Sequence, residues 1–352
     1  INWKVSEEEK VAALVAGSRQ LQDHANEILA AIEAHPEPGE KLDQRQNREL
    51  ARTVRSALRE HVPETLVARV LELGYRLVTG NARFCEDATS TAGLLLHDVR
   101  AYGKGDALRS FLGLQGDVGV QALVPGGPAE RAGLKIDDTV LAIGQLRISD
   151  IDIEGAEPWQ RTETIRAATE RMLDEDGVLP LTILRDGHPV ELTIEGVRAC
   201  RSRFEVGPGK RAVADGHRIV LGQDFVGIDY PDPLLAGLVA HELAHNLLRH
   251  RAWFDAYGKR TRKGVRLTER EADRLSPWLL ANAGLDPDGG AMFFKRWGPR
   301  HGMWIFRDRD HDAWDERVDN MAAEIPQIES LMASEGAADW PRHFRREKLP
   351  SR

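Results

Sequence analysis

Residues 239–250 read VAHELAHNLLRH. His241 and His245 stand four apart in an apolar run, and Glu242 directly follows the first. In a helix, side chains four residues apart lie one above the other on one face, so both imidazoles can reach a single divalent ion. Glu242 lies about 100° further round the helix. From there it does not readily join the same coordination, but it can reach a water on the ion. That is the placement of a general base beside a Lewis acid, a pairing suited to adding water to a carbonyl. A helix with two histidines packed on its inner face would show the same spacing. The pattern therefore needs a third ligand, because zinc hydrolases generally use three protein ligands and leave one position for water.

LTEREADRLS, residues 267–276, offers that ligand. Glu269 and Asp273 are four apart on what reads as a second helix. One carboxylate can bind the ion while the other, a turn on, holds a ligand in place from behind. Glu271 competes for the ligand role but sits on a different face. Taken alone, Glu269 could be a first-turn acid favoured by the helix dipole.

HELAHNLLRH followed by EREAD resembles the gluzincin metallopeptidases of the HtpX and CAAX-prenyl-protease type, whose pattern is His-Glu-x-x-His and then Glu-x-x-Ala-Asp. The resemblance implies His241, His245 and Glu269 as ligands of one Zn²⁺ per chain, Glu242 as general base and Asp273 as support behind a ligand. HRIVLGQDFVGI (217–228) lies where that family has an edge strand for extended substrate, which implies Arg218, Ile219, Val220 and Leu221 as that strand. HDAWDERV (311–318) is similar to the family's His-Pro-x-x-x-x-Arg segment. It implies His311 as the group that stabilises an oxyanion and Arg317 as its companion, with Asp312 standing where the family has proline.

The elements that must position these residues are mostly helical. SEEEKVAALVAGSRQLQDHANEILAAIEA (6–34) opens with a serine cap and acidic residues, then repeats apolar residues at spacings of three and four. LDQRQNRELARTVRSALREHV and PETLVARVLELGYRLVTGNA read as two more helices, the second starting at Pro63 and ending near Gly80 and Asn81. From about residue 100 the character changes. GVQALVPGGPAERAGLKIDDTVLAIG (119–144) is short apolar strands around Gly/Pro turns, TETIRAATERMLD (162–174) an amphipathic helix, and LPLTILRDGHPVELTI (179–194) a hairpin turning at Asp186–Gly187.

GGPAERAGLKIDD (126–138) resembles the turn and helix of bacterial, protease-associated PDZ domains, with Asp137 where that family usually has glycine. SFLGL (110–114) lies upstream where the family's peptide-binding loop sits, which implies Phe111, Leu112, Gly113 and Leu114 as a groove for free C-termini. The expected fold class is α+β: a mostly helical zincin-type metallopeptidase domain with a small edge-strand sheet, interrupted by a β-rich PDZ-like domain. The expected boundaries are 1–104, 105–198 and 199–352.

Composition narrows the rest. The chain of 352 residues is 41% apolar and 30% charged, with a net charge of −8. That balance argues against a general nucleic-acid binder, so the basic run GKRTRKGVR (258–266) reads as a solvated loop or a cover over the cleft. No apolar span is long enough for a transmembrane helix, which leaves the soluble, envelope-facing branch of the family. The sequence opens at Ile1 and reads as a processed or truncated form, periplasmic or envelope-associated after signal removal, with a cytoplasmic location still open. Its two cysteines, Cys85 and Cys200, either bond across the β-rich insert, implying an oxidising compartment, or stay as two buried thiols. The partners implied are protein or peptide substrates. The alternative reading is a latent or inactive peptidase that acts as a PDZ-based binding or chaperone protein.

Overall fold

In the computed structural model, the described residues are 64–101, 109, 112–151, 158–301 and 312–350. The helices expected at 6–34 and 42–62 lie outside them, as do Phe111 and His311. The chain order begins with α1 (Glu64–Gly80) and β1 (Thr89–Thr91). Next come β2 (Leu94–Asp98), β3 (Val118–Leu123), the short helix α2 (Pro128–Arg131), β4 (Thr139–Ile143), β5 (Leu146–Arg147), α3 (Pro158–Glu175), β6 (Val178–Arg185) and β7 (His188–Glu195). Then follow β8 (Val197–Ala199), β9 (Arg203–Gly207), β10 (Ala212–Ala214), β11 (Arg218–Gly222) and the helices α4 (Asp232–Leu247), α5 (His250–Tyr257), α6 (Arg262–Asn282), α7 (Gly289–His301), α8 (Trp314–Ala322) and α9 (Ile325–Glu335). Among the described residues, no helix is long and apolar enough to cross a membrane.

Two compact units divide the chain, and the insert unit takes in Ala92–Gly196. Its sheet runs β2-β3-β4-β6-β7, with β5 beside β4. Inward residues of β6 alternate with outward ones, and Leu179, Leu181 and Ile183 meet Ile165, Ala168 and Leu173 of α3 in the core. The hairpin between β6 and β7 turns at Asp186 and Gly187, with φ of 51° and 76°. Two consecutive positive φ values match the twist of the flanking strands, as the Asp-Gly pair predicts. Asp137, where a glycine was the expected residue, also has a positive φ, 65°. It takes the conformation a glycine would take, at the steric cost of a Cβ.

Of the expected groove at Phe111–Leu114, residues 112–114 are described. This segment leads into β3, and β3 has β2 on one side and β4 on the other. The pairing with β4 is brief, with Gly119 opposite Thr139. Leu112 and Leu114 bury their side chains against Val99. The outer strands of this path are β2 and β7, and the last residue of β2, Asp98, is clasped by Arg161 near the start of α3 at 2.7 Å.

The second unit comprises Val70–Thr91 and Val197–Arg352. β1 and β8 pair antiparallel, Thr89 opposite Ala199 and Thr91 opposite Val197. Beside them Cys85 and Cys200 are bonded, with Cα atoms 5.4 Å apart. A three-stranded sheet has the order β10-β11-β9. Arg218–Leu221, expected at an edge, therefore forms the middle strand, antiparallel to β10 and parallel to β9. Alternation of buried Ile219 and Leu221 marks a strand with one covered face. It carries no information on how many neighbours the strand has. The helices α4, α6, α7 and α8 pack together as the unit's main core. Gly237 on α4 lets the start of α7 approach, since a Cβ there would meet the Gly289 carbonyl carbon at 2.3 Å.

Candidate metal centre

His241 and His245 sit on α4, and Glu269 on α6. The apolar residues around the histidines, Leu238, Val239, Ala240, Leu243 and Ala244, are buried, so α4 is a core helix that carries two polar side chains inward. The Nε2 atoms of His241 and His245 are 3.3 Å apart. Glu269 Oε2 lies 3.5 Å from His241 Nε2, and Glu269 Oε1 lies 3.5 Å from His245 Nε2. Two nitrogens each 2.0–2.1 Å from one tetrahedral ion would be about 3.3–3.4 Å apart, so the spacing of the two imidazoles fits a zinc site, with the Glu269 carboxylate facing both. Among the described residues these three form the group whose donor atoms all lie within 4.8 Å of one another. A set of two imidazoles and one carboxylate suits zinc and leaves room for a fourth, non-protein ligand.

The electrostatics also favour a cation here. Burial opposes a charge on His241, but hydrogen bonds to Asp273 and Glu269 outweigh it and push its pKa up to about 10. Burial holds His245 well below its ordinary value against the pull of Glu269. The acids that act on His241, Asp273 and Glu269, would favour a divalent ion in the same place. Burial also pushes the Glu242 carboxyl up to about 7, although part of the residue reaches solvent and the Ala214 backbone hydrogen bond works the other way. That contact brings β10, an outer strand of its sheet, against the expected base.

Behind the candidate ligands stand two supports. Asp273 Oδ1 is 3.0 Å from His241 Nδ1. Arg317 on α8 donates two hydrogen bonds of 2.7 Å to the Asp273 carboxylate and stacks over Phe294 at 3.8 Å. Through these bonds Arg317 holds Asp273 behind His241. Asp312, in the place of the family's proline, is buried and bonds Arg270 of α6 at 2.9 Å. Removing one partner of a buried ion pair leaves an uncompensated charge. Asp273→Asn is expected to cost about 3 kcal/mol, the low end of the range for such losses because Glu269 stays 3.5 Å from Arg317. Urea unfolding checks this, and a loss below about 1 kcal/mol would mean the pair carries little of the structure.

The second support was not legible in the spacing. His250 Nδ1 faces His245 Nδ1 at 2.8 Å. Its Nε2 faces Glu271 at 2.9 Å, and Glu271 is in turn held by Arg346 at 2.6 Å and by the backbone N–H of Glu347. Five residues after His245, His250 would point away on a continuous helix. Instead α4 ends at Leu247 and Arg249 takes a left-handed conformation, φ 57° and ψ 37°, which turns the chain back. Glu271, weighed above as a rival ligand, faces His250. Asn246 was also missed. It accepts from the Gly216 N–H at 2.8 Å and donates to Ser202 at 2.9 Å, fastening α4 to the sheet. Being flanked by His245, it gives no signal of its own in the sequence.

No family model matches the chain, and no solved structure matches it. A stretch of 80 residues is 41% identical to part of the vitamin B12-dependent ribonucleotide reductase of Agrobacterium fabrum (strain C58), covering 22% of this chain and 6% of that protein. The protein of the same name from Bradyrhizobium diazoefficiens is 38% identical over 80 residues, with the same shares. The chain thus spans 6% of the length of these curated relatives. So short a shared stretch describes a segment rather than an activity.

Proposed function

We propose that the second unit is a zinc-dependent endopeptidase of the gluzincin kind, acting on extended or unfolded protein. The observation that carries the reading is the triangle of His241, His245 and Glu269, with Glu242 beside it and the outer strand β10 against Glu242. When bound, zinc lowers the pKa of a water it holds toward about 7 and polarises the carbonyl under attack. Glu242 would serve as the base that accepts the proton of the attacking water and passes it to the leaving amine. Asp273, fixed by Arg317, keeps His241 turned with Nε2 inward. An extended substrate would pair with β10, Ala212–Ala214, whose neighbour β11 covers one side only. Selection by backbone shape implies modest sequence preference.

In the same reading the insert is a PDZ-like unit, and the strand to receive a peptide is β2, beside α3. The Cys85–Cys200 bond supports an oxidising compartment such as the periplasm. The test is metal content together with hydrolysis of an unfolded protein. About one zinc per chain, activity abolished by a chelator and restored by zinc is the expected result. Folded protein without zinc would remove the centre, and zinc without hydrolysis would make the chain a binding or chaperone protein.

A further inference from the structure

Each ligand histidine must present a bare Nε2 to the ion, so its proton has to sit on Nδ1. For His241 the reason is direct, since Nδ1 faces Asp273, which only accepts. For His245 the partner is another imidazole, and two Nδ1 atoms at 2.8 Å share a single proton. Which ring holds it is decided one step further out. His250 Nε2 faces Glu271 Oε2, and both residues are buried. Glu271 accepts from the guanidinium of Arg346 and from the N–H of Glu347. A carboxylate so held accepts and does not donate, so His250 carries its proton on Nε2. Its Nδ1 is then a lone pair, the shared proton belongs to His245 Nδ1, and His245 Nε2 is left bare.

We propose that His250 is a positioning residue that sets the tautomer and aim of His245 for the metal, relaying the acceptor character of Glu271 through one interposed imidazole. The proposal rests on the metal-centre reading above and deepens it. It also gives the C-terminal segment a part in the site, because Arg346 bonds both Glu271 and the carbonyl of Leu248, just after α4. Partners of a ligand's far nitrogen typically account for 10–100-fold in metal affinity.

The experiment uses the full chain and zinc itself, titrated against a chromophoric chelator, with the visible spectrum of the cobalt-substituted protein as a second readout. Wild type and His241→Ala establish the centre. Zinc absent from wild type, or held as well by His241→Ala, overturns the metal reading and this proposal with it. Given a centre, His250→Leu is expected to weaken zinc 10–100-fold and to shift the cobalt bands. His250→Gln, whose amide both donates and accepts, is expected to recover most of the loss. Should His250→Leu fail to fold, Glu271→Gln decides, with a loss of about tenfold expected. Wild-type affinity and an unchanged cobalt spectrum in the folded variants would leave the centre standing and overturn the relay. Equal loss in His250→Leu and His250→Gln, with unchanged cobalt bands, would reduce His250 to a packing residue and overturn it as well.

Discussion

Glu242→Gln protein is expected to keep its zinc and to hydrolyse unfolded protein about 10²–10⁴-fold more slowly, the usual worth of a positioned general base. The separation of the two effects follows from the helix. His241 and His245 share a face and meet at 3.3 Å, while Glu242 projects about 100° away. Glutamine has the same shape and can still accept from Ala214, so β10 should stay in place. A stability measurement sharpens the test. The folded carboxyl titrates near 7 because burial disfavours its charge, above its unfolded value. Such a group costs stability as pH rises from the unfolded pKa through the folded one. In chelated protein above neutral pH, Glu242→Gln should therefore be no less stable than wild type. Unchanged hydrolysis would remove Glu242 from the mechanism, and loss of zinc would make it a ligand.

The second large effect concerns the bond between Cys85 and Cys200. Both cysteines belong to the same unit and lie 115 residues apart in sequence. Closing a loop of that length removes chain entropy worth about 4–5 kcal/mol from the unfolded state. Replacing both by serine should lower the stability of this unit by that amount if the whole chain unfolds together. A loss well below that range means the insert stays folded and already holds its ends near each other, shortening the effective loop. Denaturant titration followed by a probe in the second unit, such as Trp278 fluorescence, distinguishes these outcomes. Two freely alkylated thiols in non-reduced, denatured wild type would show that the bond does not form.

Periodicity made part of this molecule legible. Four-residue spacing on helices placed His241 with His245 and Glu269 with Asp273, since one helical turn brings such pairs onto one face. The turn residues Asp186 and Gly187 placed a hairpin because few other pairs tolerate two positive φ values. What stayed hidden depends on neighbours that a local pattern does not encode. Arg218–Leu221 alternates as any half-covered strand does, and only the partner strands show it to be central. The order of the insert's sheet, with β2 and β7 at its outside, is likewise set by partner strands rather than by local letters. His250 was hidden by a single left-handed residue, Arg249.

The pairing of β1 with β8 carries a consequence for how such a protein could change over generations. Thr91 and Val197 face each other across an antiparallel ladder, a separation of about 4.5–5.5 Å between Cα atoms. A two-residue turn would span it. The host unit is in that sense an ordinary hairpin with a cassette spliced into its bend. The ladder and the neighbouring sulfur bridge set their own register, whatever length of chain lies between. Residues 92–196 leave and rejoin the host unit at this ladder, so a change within them is expected to leave the frame of the helices that carry the histidines unchanged. New preferences for partners can accumulate in the cassette without passing through a host that no longer folds.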